Sequence, residues 1–291
     1  MPEKLVFVVP EKFNNVQAKH FFREFCGLSS RMITQLKREK DGILMNGKIL
    51  RTIDFVKAGD EVIINLPDEE MQIVPIKGKL DIVYEDNYLL VVNKPPFMPV
   101  HPVKQHQSDT LANIVAYYCS EKQENFVFRA LNRLDRDTSG LVLIAKDRFT
   151  ANKLKFSVKK AYYALVHGKI TKNGTIKAPI GLLEDSKMVR HVLEEGSPAI
   201  TNYEVFLSNE EFSFLKLRLE TGKTHQIRCH MTSLGHPLLG DDLYGGSRSQ
   251  INRQALHCGE MEFIHPITEK LIKLSADIPD DMLNIINENE D

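Results

Sequence analysis

Tryptophan is absent from the 291 residues, and cysteine occurs only four times, as Cys26, Cys119, Cys229 and Cys258. The missing tryptophan excludes nothing. The four cysteines are far apart and form no CxxC pair, which leaves neither a zinc site nor a disulfide framework and fits a reducing cytosol. No apolar run approaches the roughly 18 residues needed to span a bilayer. The N-terminus lacks the basic, apolar and small-residue order of a signal peptide, so a cytoplasmic chain with no membrane partner is expected. Neither sign of charge dominates: the formal net charge is -1. That argues against a surface coated in positive charge but not against a local basic patch, because a nucleic-acid footprint depends on where the charge sits. No internal repeat or low-complexity tract is present.

Several familiar catalytic motifs are missing too. Gly222-Lys223-Thr224 looks like the end of a phosphate-binding P-loop, but the glycine required five residues earlier is Leu217, so no P-loop is expected. Ser139 does not lie in a GxSxG elbow, which argues against an α/β-hydrolase. No GxGxxG follows a strand. Among the histidines, His225, His230 and His236 lie close together but lack HExxH spacing, so no metal site is expected. Asn173-Gly174-Thr175 is a glycosylation sequon without a secretory route.

What is there is an ordinary globular composition, 42% hydrophobic and 26% charged, long enough for two domains. Glu3 to Val9 reads as a strand, and residues 15 to 26 follow with helical spacing, apolar at Val16, Phe21, Phe22 and Phe25. Ser29 or Ser30 caps a second helix, Arg31 to about Lys40, with Met32, Ile33 and Leu36 on its apolar face and Arg31, Lys37 and Arg38 toward solvent. Asn46-Gly47 predicts a hairpin, with Lys48 just beyond it. Gly59-Asp60 turns into a closing strand, Glu61 to Leu66. Residues 31, 37, 38, 40, 48, 51 and 57 are basic and only 39, 41 and 54 acidic, a local excess of four positive charges. Such charge suits a solvated helix face. The order of elements, with Leu28-Ser29-Ser30-Arg31, Val56 and Gly59-Asp60, resembles the S4-like RNA-binding domain. That resemblance implies that Arg31, Lys37, Arg38 and Lys48 face RNA phosphates, positioning the RNA without reading much sequence.

We therefore place a small α+β, S4-like domain over residues 1–72, a linker over 73–79, a larger domain over 80–285 and an acidic tail over 286–291. The larger domain opens with strands at Leu80–Asp86 and Tyr88–Asn93. Four prolines between Lys94 and Pro102 forbid regular structure there. A helix is expected at 110–119. Val158–Gly168 reads as a strand with Lys160, Tyr162, Ala164 and Val166 on one face, and Phe214–Leu219 as another. Thr224 can cap a helix from His225 to about Leu234, burying Ile227, His230 or Met231, and Leu234, with Gly235 ending it. Arg228 sits beside that stripe. An arginine buried there calls for a carboxylate partner.

Between these lies Leu131-Asn132-Arg133-Leu134-Asp135-Arg136-Asp137-Thr138-Ser139-Gly140, running straight into Leu141-Val142-Leu143-Ile144-Ala145. Asp137, Thr138, Ser139 and Gly140 suit an ordinary turn. Asp135, between Arg133 and Arg136, suits a carboxylate kept charged by its neighbours. A lone carboxylate fits nucleophilic or proton-abstracting chemistry at a sugar carbon better than two-carboxylate glycoside hydrolysis. Taken alone, Tyr162 reads as a core strand residue and Arg228 as half of a fold-stabilising ion pair.

Arg133 to Leu141 resembles the RLDxxTSGL signature of the large-subunit (RluA/RluD-type) pseudouridine synthases. Four more segments agree in order: Asn93-Lys94-Pro95 with His101-Pro102; Lys160 to Gly168; Glu220 to Gly240 with Asp241 and Tyr244-Gly245; and Arg253 to His257 with His265-Pro266. The family usually has a histidine where this chain has Asn132. The resemblance implies an α+β fold with a mixed, largely antiparallel sheet, and an enzyme that isomerises uridine in RNA to pseudouridine without cofactor or metal. It implies Asp135 as the essential carboxylate, Arg228 as its ionic partner and Tyr162 stacked on the uracil. Ile227 would supply an apolar wall, with Arg133, Thr138 and Lys160 contacting substrate. The partner expected is 23S ribosomal RNA or a ribosomal precursor, with the enzyme acting as a monomer. The alternatives are a transfer-RNA synthase and a non-catalytic ribosome-assembly factor.

Overall fold

A computed structural model describes residues 4–66, 73–124, 127–183 and 189–288. The first part of the chain folds as β1 (Lys4–Val8), β2 (Val16–Gln17), α1 (Ala18–Glu24), α2 (Ser30–Leu36), β3 (Ile43–Met45), β4 (Lys48–Ile49), β5 (Phe55–Val56) and β6 (Glu61–Asn65). An antiparallel sheet ordered β1-β6-β3-β4 lies against the two helices. Phe21, Phe22, Met32, Ile33 and Leu36 fill the space between them, as the 3.6-residue spacing expects. The Ser29 hydroxyl caps α2 by accepting from the Met32 backbone N–H at 3.2 Å. Asn46 and Gly47 both take positive φ, 48° and 78°, the backbone a tight hairpin needs.

Here α2 is shorter than expected. It stops at Leu36, and the next amides bond three residues back, Arg38 to the Gln35 carbonyl at 2.9 Å and Glu39 to the Leu36 carbonyl at 3.2 Å. From Lys37 to Asp41 no side chain is apolar, so a further turn would have nothing to bury. Lys37 and Arg38 therefore stand in the turn after the helix, not on its face.

The second part comprises β7 (Ile82–Glu85), β8 (Leu89–Lys94), α3 (Leu111–Glu121), β9 (Ser139–Ala145), α4 (Arg148–Leu154), β10 (Lys159–His167), β11 (Gly174–Lys177), β12 (Ile180–Leu182), β13 (Arg190–Val192), β14 (Ile200–Ser208), β15 (Phe212–Leu219), α5 (Gln226–Ser233), β16 (Leu256–Ile264), β17 (Leu271–Ser275) and α6 (Asp280–Asn287). One long sheet runs β11-β14-β15-β10-β16-β9-β8-β7, with β17 added to β16. Its pairings are antiparallel except β16 with β9, where His257 lies opposite Ser139. The fold is thus α+β on a mixed, mostly antiparallel sheet. All seven residues of β9 are buried, as its unbroken apolar run demands.

Two expectations fail at α5. Thr224 does not cap it: the helix starts one residue later, after His225, whose φ of 56° is left-handed and which makes no side-chain cap. Leu234 is exposed, because it falls beyond the last full turn. The end of the expected first domain, residues 67–72, and most of the expected tail, residues 289–291, lie outside the described residues. Residues 73–80 carry no regular element but are tied to α3, where Asn113 donates to the Val74 carbonyl at 2.8 Å.

The joint between the two parts is α4. Phe149 leaves the large sheet and completes the core of the first part, its ring centre 5.7 Å from that of Phe7. Asn152 Nδ2 donates to the Gly27 carbonyl at 2.7 Å. Phe149→Ala is expected to cost about 3–5 kcal/mol, the usual penalty for emptying a buried aromatic site. Denaturant unfolding checks this, and a change within about 0.5 kcal/mol, typical of surface positions, would show that Phe149 does not hold the joint.

Candidate active site

The loop that precedes β9 carries Asp135, and it is shaped by bonds to its own backbone. The Thr138 N–H closes a turn on the Asp135 carbonyl at 3.1 Å, and the Met98 N–H donates to the Arg136 carbonyl at 3.0 Å. Two buried cations reach the next carbonyls. Lys94 Nζ donates to the carbonyls of Pro95 and Met98 at 2.8 Å and of Arg136 at 3.0 Å. Arg253 Nη1 donates to the Asp137 carbonyl at 3.3 Å, while its fork grips Asp281 at 2.6 and 2.8 Å. Burial pushes the Lys94 ammonium down to about 7, and its three carbonyl acceptors favour the charged form. At the end of the loop Gly140 has φ +113°, and a Cβ there would lie 2.3 Å from the Cys258 carbonyl oxygen. Only glycine fits this approach of β9 to β16.

Held this way, the Asp135 carboxylate meets α5. Arg228 Nη1 donates to Asp135 Oδ2 at 2.9 Å. The other edge of the same guanidinium is held by Asp241, with Nε to Oδ2 and Nη2 to Oδ1 both at 2.7 Å. Its face lies over the Tyr244 ring, 4.9 Å from the centroid. Burial lowers the Arg228 guanidinium, but hydrogen bonds and charge from Asp241, then Asp135, outweigh it and hold it above its ordinary value. The buried arginine has the carboxylate partner the sequence called for, and it has two.

The arginines beside Asp135 in sequence are not its partners. Arg136 pairs with Asp137 at 2.7 and 3.0 Å, Arg133 is exposed, and among the described residues the ion pairs of Asp135 run to Arg228 and His225. Arg136 stands inside the turn that Thr138 closes on the Asp135 carbonyl, and its guanidinium is spent on Asp137.

His225 closes a short relay. The Arg190 N–H donates to the Tyr244 hydroxyl at 2.8 Å, and that hydroxyl lies 3.1 Å from His225 Nδ1. A neutral ring that accepts the Tyr244 proton at Nδ1 carries its own proton on Nε2. Nε2 faces Asp135 Oδ2 at 3.7 Å. Burial, with Arg228 adding to it, lowers the His225 imidazole against the opposing pull of Asp135, which favours the neutral ring. A left-handed histidine beside a carboxylate is the kind of backbone strain that collects at functional sites.

Tyr162, on β10, faces the same centre and is 6% exposed, packed in one apolar cluster with Leu134 and Ile227. Burial, reinforced by Cys258 and then Asp135, raises its hydroxyl well above the ordinary phenol range. Asp135, Arg228, Tyr162 and Ile227 are therefore brought together. Thr138 is buried and accepts from Gln254 Nε2 at 3.2 Å. Lys160 is half-buried, donates to the Val158 carbonyl at 3.3 Å, and is lowered by burial. Arg31, Lys37, Arg38 and Lys48 are exposed on the first part of the chain. Among the described residues no group of three or more His, Cys, Asp and Glu side chains is placed to hold a metal ion.

Asp241, His225, Tyr244, Lys94 and Arg253 were not singled out from the sequence as site residues. Asp241 had a signal, since the buried-arginine argument demanded a carboxylate and Gly240-Asp241 lay one loop away. The backbone-directed roles of Lys94 and Arg253 had none.

The mixed, mostly antiparallel sheet is that of the RNA pseudouridylate synthases, a class of RNA-modifying isomerases. The family model for RNA pseudouridylate synthases matches residues 88–233. The chain belongs to that family and is an RNA pseudouridine synthase. It is 39% identical over 268 residues to an uncharacterized RNA pseudouridine synthase of Bacillus subtilis, YjbO, covering 89% of this chain and 95% of the relative. It is 35% identical over 269 residues to the ribosomal large subunit pseudouridine synthase D of Pseudomonas aeruginosa, covering 85% of this chain and 84% of that one. The human protein RNA pseudouridylate synthase domain containing 1 superposes with a TM-score of 0.57 at 27% identity, covering 68% of this chain and 83% of that one.

Proposed function

We propose that this enzyme isomerises uridine in large-subunit ribosomal RNA and that Asp135 is its reactive carboxylate. The observation that carries the reading is the carboxylate of Asp135 held at 2.9 Å by Arg228, which Asp241 locks from behind. In the reaction the bond between uracil N1 and ribose C1′ breaks, the base turns, and C5 joins C1′. The C5 proton leaves and N1 gains one. Asp135 either attacks C1′ or takes a ribose proton, and Arg228 keeps it aimed through both. Tyr162 offers a ring face to the uracil beside Ile227. Burial raises its hydroxyl well above the ordinary phenol range, which favours the ring as the platform for the base. The reading invokes no cofactor or metal.

The uridine must leave its stack to reach this centre, at a cost of a few kcal/mol that is least in loops and bulges. We take the first part of the chain as an S4-like module that holds such RNA by its phosphates, with the enzyme monomeric and cytoplasmic. The ribosomal substrate is supported by the name of the Pseudomonas relative. Tritium release from RNA carrying C5-labelled uridine tests the reading, comparing large-subunit ribosomal RNA with bulk transfer RNA. Release from the ribosomal RNA is expected. Release from transfer RNA alone would move the substrate to the rival class, and none from either would count against a catalytic role.

A further inference from the structure

Where α4 docks against the first part of the chain, a cleft of about 480 Å³ lies between the two parts. Arg31 and Met32 of α2 form one wall, and Ala130, Leu131, Ala151 and Lys155 form much of the other. Arg129 and Arg148 also line it, and no acidic side chain does. The last two are anchored, Arg129 on the Val127 carbonyl at 3.0 Å and Arg148 on the Gln35 side chain. Their charges are thus fixed in the wall, while Arg31 and Lys155 stand exposed.

Next in sequence to Lys155, which lines the cleft, is Phe156, 91% exposed. Its ring carries Lys155 Nζ 5.2 Å from its centroid. A phenylalanine left almost wholly in water, beside a cationic cleft, contributes nothing visible to the fold. A cation over an aromatic face beside a positive groove is the arrangement by which proteins hold single-stranded RNA, stacking a base while neutralising its backbone.

The position is close to the reaction centre. Leu131 lines the cleft and is four residues from Asp135, which bounds their separation at about 14 Å. Phe156 stands in the short segment leading into β10, the strand that bears Tyr162. The docking of Phe149 and the Asn152 bond to Gly27 keep the walls together.

We infer that this cleft is a second RNA subsite, taking the phosphodiester backbone of single-stranded nucleotides next to the target uridine and stacking one of their bases on Phe156. It rests on the reading of the enzyme as acting on RNA. Its parts come from both sides of the joint, so it differs from a basic face carried by the first module alone.

The absence of tryptophan from the chain supplies the test. Phe156→Trp in the full-length protein places one indole beside Lys155, and saturating substrate RNA is expected to quench its fluorescence severalfold through base stacking. Phe156→Ala, at so exposed a position, should melt like the wild type yet bind RNA roughly tenfold more weakly, about 1.4 kcal/mol and within the range for one stacked base. Arg31→Glu and Lys155→Glu should each weaken binding and lower the salt slope by about one phosphate contact. Neutral methylphosphonate linkages placed beside the target should hurt the wild type but not either charge variant, at the same one or two positions for both. Lys172→Glu, exposed elsewhere, should change neither affinity nor slope. An unquenched indole together with wild-type affinity for Phe156→Ala, or sensitivity of the two charge variants to separate stretches of RNA, overturns the inference. Wild-type protein releasing tritium from the same RNA in that experiment keeps the proposed function standing while the cleft falls.

Discussion

Asp135→Asn is expected to abolish pseudouridine formation while leaving folding and RNA binding near normal. Asparagine keeps the size of the side chain and one oxygen that can still accept from Arg228, at a position whose side chain is about a third exposed. The loop does not depend on the carboxylate for its shape, since its turn is closed by backbone and its carbonyls are held by Lys94 and Arg253. What disappears is the negative charge that either version of the chemistry requires, attack on C1′ or removal of a ribose proton. A positioned group of this kind is worth at least about 10²-fold, so tritium release should fall by that factor or beyond detection. Turnover within a few-fold of wild type would remove Asp135 from the reaction.

Asp241→Ala should have the largest effect on stability and should silence the enzyme as well. Arg228 and Asp241 are almost fully buried, with side chains 7% and 1% exposed. Removing one partner from a buried pair costs about 3–5 kcal/mol. Arg228 would then have Asp135 as its remaining close carboxylate and no fixed orientation from behind. Asp241→Asn, which preserves shape and one acceptor, should recover much of the stability and little of the rate. Urea unfolding and tritium release on the two variants separate the roles. If Asp241→Ala unfolds like the wild type, the pair is not what seats Arg228.

How much of this was legible in the sequence depended on the range of the interaction. Local patterns were read well: the apolar stripe of α2 with its Ser29 cap, the Asn46-Gly47 hairpin, the continuous burial of β9, and the alternation that put Tyr162 on an inward face. The end of α2 was misjudged because basic residues continue a helical pattern that no core supports. The start of α5 was misjudged because a threonine suits a cap by residue type, whereas the chain enters through a left-handed His225. That choice is set by tertiary contacts with Asp135 and Tyr244.

At the site, proximity in sequence misled. Arg133 and Arg136 flank Asp135, yet its guanidinium comes from 93 residues away. Asn132, where the family usually has histidine, is resolved by hydrogen bonding. Its amide donates to the Leu141 carbonyl and accepts from the Leu143 N–H, both at 2.9 Å, so it tethers the loop to β9 as a strand neighbour would. Its side chain is committed to the scaffold. Roles exercised on backbone carbonyls, as by Lys94 and Arg253, leave no periodicity to read.

The order of the long sheet has a consequence for synthesis of the chain. β9 and β10 are not paired with each other; β16 lies between them. The half-sheet that follows the Asp135 loop and the half-sheet bearing Tyr162 are both finished well before residues 256–264 leave the ribosome. Until then no strand-to-strand hydrogen bonds join them, and such distant pairings are slow to form. A nascent or truncated chain lacking β16 would hold both halves of the site and no active centre. Catalysis would begin only when nearly the whole protein has emerged.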